Sequence, residues 1–212
     1  MEKKILYLWD LTGTLFHEKW NKEFTGVDSY EDWLEEKLNK NIKDVSPREY
    51  EEMCREPYSK GKHFNLDIYP GFKEVLEWTK NNEAFTSGLI EHNDWRAKYL
   101  NPILGYDIRQ YFQKINTTFD YEDTNIKNEE MFYQYLQNKY KQGYKTIIYT
   151  EDKIKYIKCF KIAALKLHKK YPDFSFRLYH ILHNEKDIKD QAGYWEAGSL
   201  LGVLNNEKKL SV

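Results

Sequence analysis

The chain has 212 residues, 33 Lys and Arg against 34 Asp and Glu, a net charge of -1, and 17% aromatic residues. Such an aromatic content excludes a disordered segment, and a net charge near zero gives no global attraction to nucleic acid, which is not an expected partner. Cys54 and Cys159 lack the spacing of a disulfide framework or a zinc site, no apolar run approaches a membrane span, and no secretory signal precedes the first strand, so a cytoplasmic location with no membrane contact is expected.

Residues 3–10 predict the first strand, an apolar run through Ile5, Leu6, Tyr7, Leu8 and Trp9 that ends on Asp10. Thr12-Gly13-Thr14 turns at once, beside amides expected to face a ligand. A carboxylate at the carboxyl end of a strand can act as a nucleophile or metal ligand, although an Asp there can also cap the turn.

From 16 to 66 the pattern becomes helical. Ser29 opens one helix carrying Trp33, Leu34 and Leu38, and Ser46-Pro47-Arg48-Glu49 opens a second, running to about Glu56. A helical insertion at 16–66 is therefore expected within a core of 1–15 and 67–212. Tyr69-Pro70-Gly71 precedes a helix from Phe72 to about Lys80, Glu83–Thr86 is a short strand, and Asp94–Leu100 is helical, with a break at Pro102 and Gly105. Lys114–Phe119 reads as a strand, Asn128–Tyr140 as a helix, Tyr144–Thr150 as a strand, Lys153–Lys170 as a long helix, and Phe174–Leu182 as a strand. The last 25 residues carry no clear pattern. Alternating strands and helices predict an α/β fold with a doubly wound, mostly parallel, Rossmann-like sheet.

Four short stretches, in order, resemble the motifs of the haloacid dehalogenase-like (HAD) superfamily, mostly magnesium-dependent phosphatases. They are Asp10-Leu11-Thr12-Gly13-Thr14, Thr86-Ser87-Gly88, Lys127 before the helix carrying Phe132, and Thr150-Glu151-Asp152 after an apolar strand. The resemblance spans about residues 3–160. It implies that Asp10 is the nucleophile, attacking phosphorus to give an aspartyl phosphate. It implies that Thr86, with Ser87, holds a phosphoryl oxygen, that Gly13 lets the chain turn closely around the phosphate, and that Lys127 neutralises Asp10 and the phosphate. Asp10, the Thr12 carbonyl and Asp152 would hold Mg2+, with Glu151 behind them orienting Lys127. The 16–66 segment would be a cap closing over a small phosphorylated substrate. Read without the resemblance, Thr86 can bond its own turn and Asp152 can cap the following helix.

Two features depart from that pattern. The family's phosphatases carry an acid/base Asp where this chain has Thr12, whose hydroxyl, with its very high pKa, cannot do that work near neutral pH. His17, Glu18, His63 and His92 are candidate replacements. The substitution predicts slow turnover of ordinary monoesters. It also keeps open a catalytically impaired binding or regulatory protein on the same scaffold, and a metal-independent 2-haloacid dehalogenase-like hydrolase. The second departure is the 153–170 helix, with seven lysines and no acid. Lys155, Lys158, Lys166 and Lys169 share one face, either a solvated surface or a dock for an acidic partner. His180 and His183, three apart near a strand end, point to opposite faces and are not expected to share a metal.

Overall fold

The computed structural model describes residues 4–60, 62–88, 107–184, 188–191 and 193–211. Its strands are β1 Lys4–Trp9, β2 Phe16–Trp20, β3 Phe64–Ile68, β4 Asn82–Thr86, β5 Lys114–Thr117, β6 Tyr144–Glu151, β7 Ser175–Ile181, β8 Lys189–Gln191 and β9 Tyr194–Ala197. Seven of them form one sheet in the order β5-β4-β1-β6-β7-β9-β8. Every neighbouring pair is parallel except β8 and β9.

The strand order decides where chemistry can sit. Chain order runs outward from β1 through β4 to β5 on one side, and from β6 through β7 to β9 on the other. The winding therefore reverses between β1 and β6, and a crevice opens there at the carboxyl ends of the strands. Asp10 follows β1 directly, and Glu151 is the last residue of β6.

Helices cover both faces, which is why β1 and β6 are apolar on both sides rather than alternating. On one face, α5 (Phe72–Thr79) and α8 (Leu200–Leu210) set Phe72, Val75, Leu76, Leu200 and Val203 against Trp9 and Ile148. On the other, α6 (Glu129–Lys141) and α7 (Ile154–Lys170) set Phe132, Tyr135, Ile157 and Phe160 against Leu6, Leu8, Ile147 and Tyr149. Each such buried side chain contributes about 1.5–3 kcal/mol. On α7 the packed stripe includes Ile157, Phe160 and Ala164, while Lys155, Lys158, Lys166 and Lys169 are exposed.

The segment after Phe16 is not purely helical, contrary to the sequence expectation. It leaves and returns through an antiparallel ribbon, with Phe16 opposite Ile68 and Trp20 opposite Phe64. Five-residue strands of mixed polarity give a weak periodic signal, and the pairing partner lies more than 40 residues away in the chain. Between them come α1 (Lys22–Thr25), α2 (Tyr30–Leu38), α3 (Pro47–Met53) and α4 (Arg55–Lys60). The expected 46–56 helix is broken at Cys54, which ends α3 before α4 begins. Tyr30, Trp33, Leu34 and Cys54 form a small core of their own with Trp20, Tyr50 and Phe64.

Two further expectations change. The 114–119 strand stops at Thr117, because Thr117 and Asp120 form a reciprocal cap on a short 3-10 turn. The C-terminal residues without clear pattern form β8, β9 and α8, the sheet edge and a helix packed against α5. The Asp94–Leu100 helix, the break at Pro102 and Gly105, and His92 lie outside the described residues.

Candidate active site

Asp10 is held at the crevice by its backbone N–H, which donates to Thr150 O at 3.0 Å and ties the tip of β1 to β6. The turn then closes on itself. The amides of Thr14 and Leu15 donate to Leu11 O at 3.2 and 2.8 Å, and that of Gly13 to Phe16 O at 2.7 Å. These amides are therefore committed to the turn, not aimed at a ligand as the sequence suggested. Gly13 has a φ of +89°, and a Cβ there would lie 2.6 Å from Asp152 Cγ. Both the backbone angle and the close approach of a carboxylate require glycine.

Lys127 stands just before α6, whose N-cap Asn128 accepts the Met131 N–H at 2.9 Å. Lys127 is 2% exposed. It donates to Asp10 Oδ1, to Glu151 Oε2 at 2.8 Å and to the Tyr149 hydroxyl at 3.3 Å. The Tyr149 hydroxyl donates to Glu151 Oε2 at 2.7 Å, and Lys153 N–H donates to Glu151 Oε1 at 3.0 Å. Glu151 is thus bonded at both oxygens, and Lys127 is clamped between two carboxylates.

Burial and charge set the protonation of this group together. Burial acts to lower the Lys127 pKa, but Asp10 and Glu151 outweigh it and hold the ammonium above its ordinary range. Burial acts to raise Glu151, yet Lys127 and hydrogen bonds from its neighbours keep it below the ordinary value. Asp10 is raised to about 6 by burial and by Glu151, against the pull of Lys127. Asp152 is raised to about 8 by burial, by its hydrogen bond with Glu151 and by the charge of Asp10.

Carboxylate oxygens of Asp10, Glu151 and Asp152 lie within 4.8 Å of one another. Asp152 Oδ1 is buried with no hydrogen-bond partner among the described residues. Asp152 does not cap α7 either, since Lys153 is the N-cap residue, with no capping bond from its side chain. A carboxylate oxygen buried without a donor, beside more negative than positive charge, fits a small hard cation.

Thr86 ends β4 and is buried, with its hydroxyl donating to Ser87 O at 3.3 Å within its own turn. Thr12 donates its hydroxyl to Glu18 Oε2 at 3.3 Å. A cavity of about 240 Å³ joins these groups. Its floor comes from Asp10, Thr12, Thr86, Ser87, Lys153 and Tyr156, and its opposite wall from Glu18, Tyr30, Tyr50, Glu51, Cys54 and Phe64 of the inserted segment.

Three positioning groups escaped sequence reasoning. The Thr14 hydroxyl donates to Asp10 Oδ2 at 3.3 Å and accepts the Asp152 N–H at 3.1 Å. His180 Nε2 lies 2.9 Å from Asp152 O, and His183 Nε2 lies 3.0 Å from Thr14 O. The two histidines thus serve two different loops. Burial lowers the His183 pKa, so its neutral ring donates to that carbonyl while stacking on Tyr69. Thr14 belongs to the 10–14 motif and the histidines lie near the end of β7, but nothing local marks the partners of the three.

The parallel sheet and the winding reversal define a mostly parallel, Rossmann-like α/β fold with carboxylates gathered at the reversal. The crystal structure of a predicted phosphoglycolate phosphatase from Haemophilus somnus 129PT aligns with a TM-score of 0.54 over 95% of this chain and 97% of that chain, at 15% sequence identity. At that identity the likeness is one of fold. No protein-family model matches the sequence, and no curated protein matches it. Among the described residues, no helix is long and apolar enough to cross a membrane.

Proposed function

We propose that this chain is a magnesium-dependent phosphohydrolase that acts on a small phosphorylated substrate through an aspartyl phosphate at Asp10. The observation that carries this reading is the convergence of Lys127, Glu151 and Asp152, from two distant segments, on Asp10, which itself lines the cavity. The solved structure of a predicted phosphoglycolate phosphatase with a similar fold supports it.

In this reading Asp10 Oδ2 attacks phosphorus, while Lys127 stays on Oδ1 and offsets the charge of nucleophile and phosphate. Thr86 turns its hydroxyl from the Ser87 carbonyl to a phosphoryl oxygen, joined by the Ser87 hydroxyl. Asp10, Asp152 and the Thr12 carbonyl would hold Mg2+, which when bound screens the repulsion between the carboxylates and an anionic substrate. Glu151 keeps Lys127 in place and takes no part in bond making. The 16–66 segment acts as a cap, excluding water and selecting the leaving group through the wall it contributes. Two cysteines that form no disulfide suit a reducing cytoplasm.

The test is phosphate release from a panel of small phosphoesters and acyl phosphates, with Mg2+ and with chelator, for wild type and Asp10→Asn. Activity that needs Mg2+ and disappears in the variant is expected. Activity surviving in Asp10→Asn refutes the assignment. Ligand binding without turnover would favour a regulatory protein, and chelator-insensitive halide release a dehalogenase.

A further inference from the structure

We propose that Glu18 is the general acid and base of the phosphohydrolase reaction proposed above, on which this inference rests. The chemistry needs such a group twice. An alkoxide leaving from phosphorus must be protonated, and the water that later attacks the aspartyl phosphate must lose a proton. Thr12, two residues after the nucleophile, cannot do either.

The described carboxylates lining the cavity besides Asp10 are Glu18 and Glu51. Glu51 lies on α3, in the wall built with Tyr30 and Cys54. Glu18 reaches the nucleophile's own loop, with Oε2 3.3 Å from the Thr12 hydroxyl. It can do so because β2 is antiparallel to β3 and successive side chains alternate. Phe16, Glu18 and Trp20 share one face, while His17 turns to the other, is exposed and packs near Tyr69. His63 is enclosed by the rings of Trp20, Phe24 and Trp33 and does not line this cavity. The ribbon thus delivers a carboxyl to the mouth of the nucleophile loop, where the side chain of residue 12 would otherwise have to supply it.

The steps balance without any further reactant. Asp10 forms the O–P bond as the bond from phosphorus to the leaving oxygen breaks, and the Glu18 carboxyl proton passes to that oxygen to give the free alcohol. The Glu18 carboxylate then takes a proton from water as the water oxygen bonds to phosphorus. The Asp10–phosphorus bond breaks, inorganic phosphate leaves, and Glu18 is again protonated.

The experiment compares wild type, Glu18→Gln, Glu18→Asp and Glu18→Gln/Thr12→Asp with Mg2+, after circular dichroism confirms that each is folded. Substrates are glycerol phosphate, p-nitrophenyl phosphate and acetyl phosphate, with acid-quenched phosphoenzyme measured alongside. General acid/base groups contribute roughly 10²–10⁴-fold. Glu18→Gln should lose at least ~100-fold in kcat/KM on glycerol phosphate but less than ~10-fold on acetyl phosphate, whose leaving group needs no proton. It should also accumulate phosphoenzyme from acetyl phosphate. Glu18→Asp should keep part of the activity, and Thr12→Asp should restore glycerol phosphate hydrolysis in the Gln background. Equal losses on all substrates, or unchanged phosphoenzyme lifetime, overturn the role of Glu18 while leaving Asp10 as nucleophile. Absence of phosphoenzyme and turnover in wild type overturns the underlying reading, and Glu18's role with it.

Discussion

The backbone N–H of Asp152 donates to the hydroxyl of Thr14 at 3.1 Å, joining loops 138 residues apart in sequence. The same hydroxyl donates to Asp10 Oδ2 at 3.3 Å, so one buried group sets the spacing of two carboxylates. Thr14→Val keeps the shape and removes both bonds. The orphaned amide should cost about 1–3 kcal/mol of unfolding free energy in urea titration. Mg2+ affinity should fall with it. Unchanged affinity would mean that the carboxylates hold their spacing without Thr14.

Lys127→Met tests the buried cation. The variant leaves Asp10 and Glu151 facing each other with the ammonium between them removed. Breaking a buried pair from one side costs about 3–5 kcal/mol. Urea unfolding should show that loss in the metal-free protein, and phosphoenzyme formation should vanish. A loss below 1 kcal/mol would show that water replaces the ammonium, contrary to its enclosure.

The raised carboxyls give a pH dependence of definite sign. Asp152 titrates at about 8 in the fold against an ordinary 3.8, and Asp10 at about 6 against the same value. Between those values the folded chain binds more protons than the unfolded one, so their contribution to stability is complete below pH 3.8 and is lost as pH rises to about 8. Glu151, held low, contributes in the opposite direction at acid pH, with stability lost as it is protonated. Thermal melts of the metal-free protein should therefore show a destabilising trend from pH 6 to 8 that Asp152→Asn reduces. Mg2+ competes with the same protons, so its affinity should increase over that range. A flat Mg2+ affinity between pH 6 and 8 would exclude Asp152 as a ligand.

Charge on the cavity wall predicts substrate preference. Asp10, Glu18 and Glu51 line it, with Lys153 the cation among the described lining residues. A substrate bearing a second anionic group meets carboxylates there, at a cost set by the low local dielectric. Glycerol phosphate should be hydrolysed with kcat/KM at least ~10-fold above that of 2-phosphoglycolate, a difference of about 1.4 kcal/mol. The reverse order would show that Lys153 governs the wall.

Much of this architecture was legible in the chain because it rests on local pattern. The 3–10 and 144–150 runs read as strands because their apolar stretches are continuous, and Ser29 and Ser46 signalled helix starts through their caps. The ribbon of β2 and β3 was not legible. Its pairing is non-local, and its short strands carry both Lys19 and Trp20 without a strong period. The break at Cys54 and the roles of Thr14, His180 and His183 were hidden for the same reason, since each is defined by a partner elsewhere in the fold.

The sequence alone determined the class of fold and the order in which Asp10, Thr86, Lys127 and Asp152 arrive at strand or helix ends, because hydrophobic periodicity and capping act over a few residues. Only tertiary structure decided that Lys127 lies between Asp10 and Glu151, that Thr14 links the acidic loops, and that Glu18 reaches Thr12. Those contacts depend on β1 and β6 being neighbours and on a ribbon closing across the chain, and spatial adjacency of distant segments has no local signature.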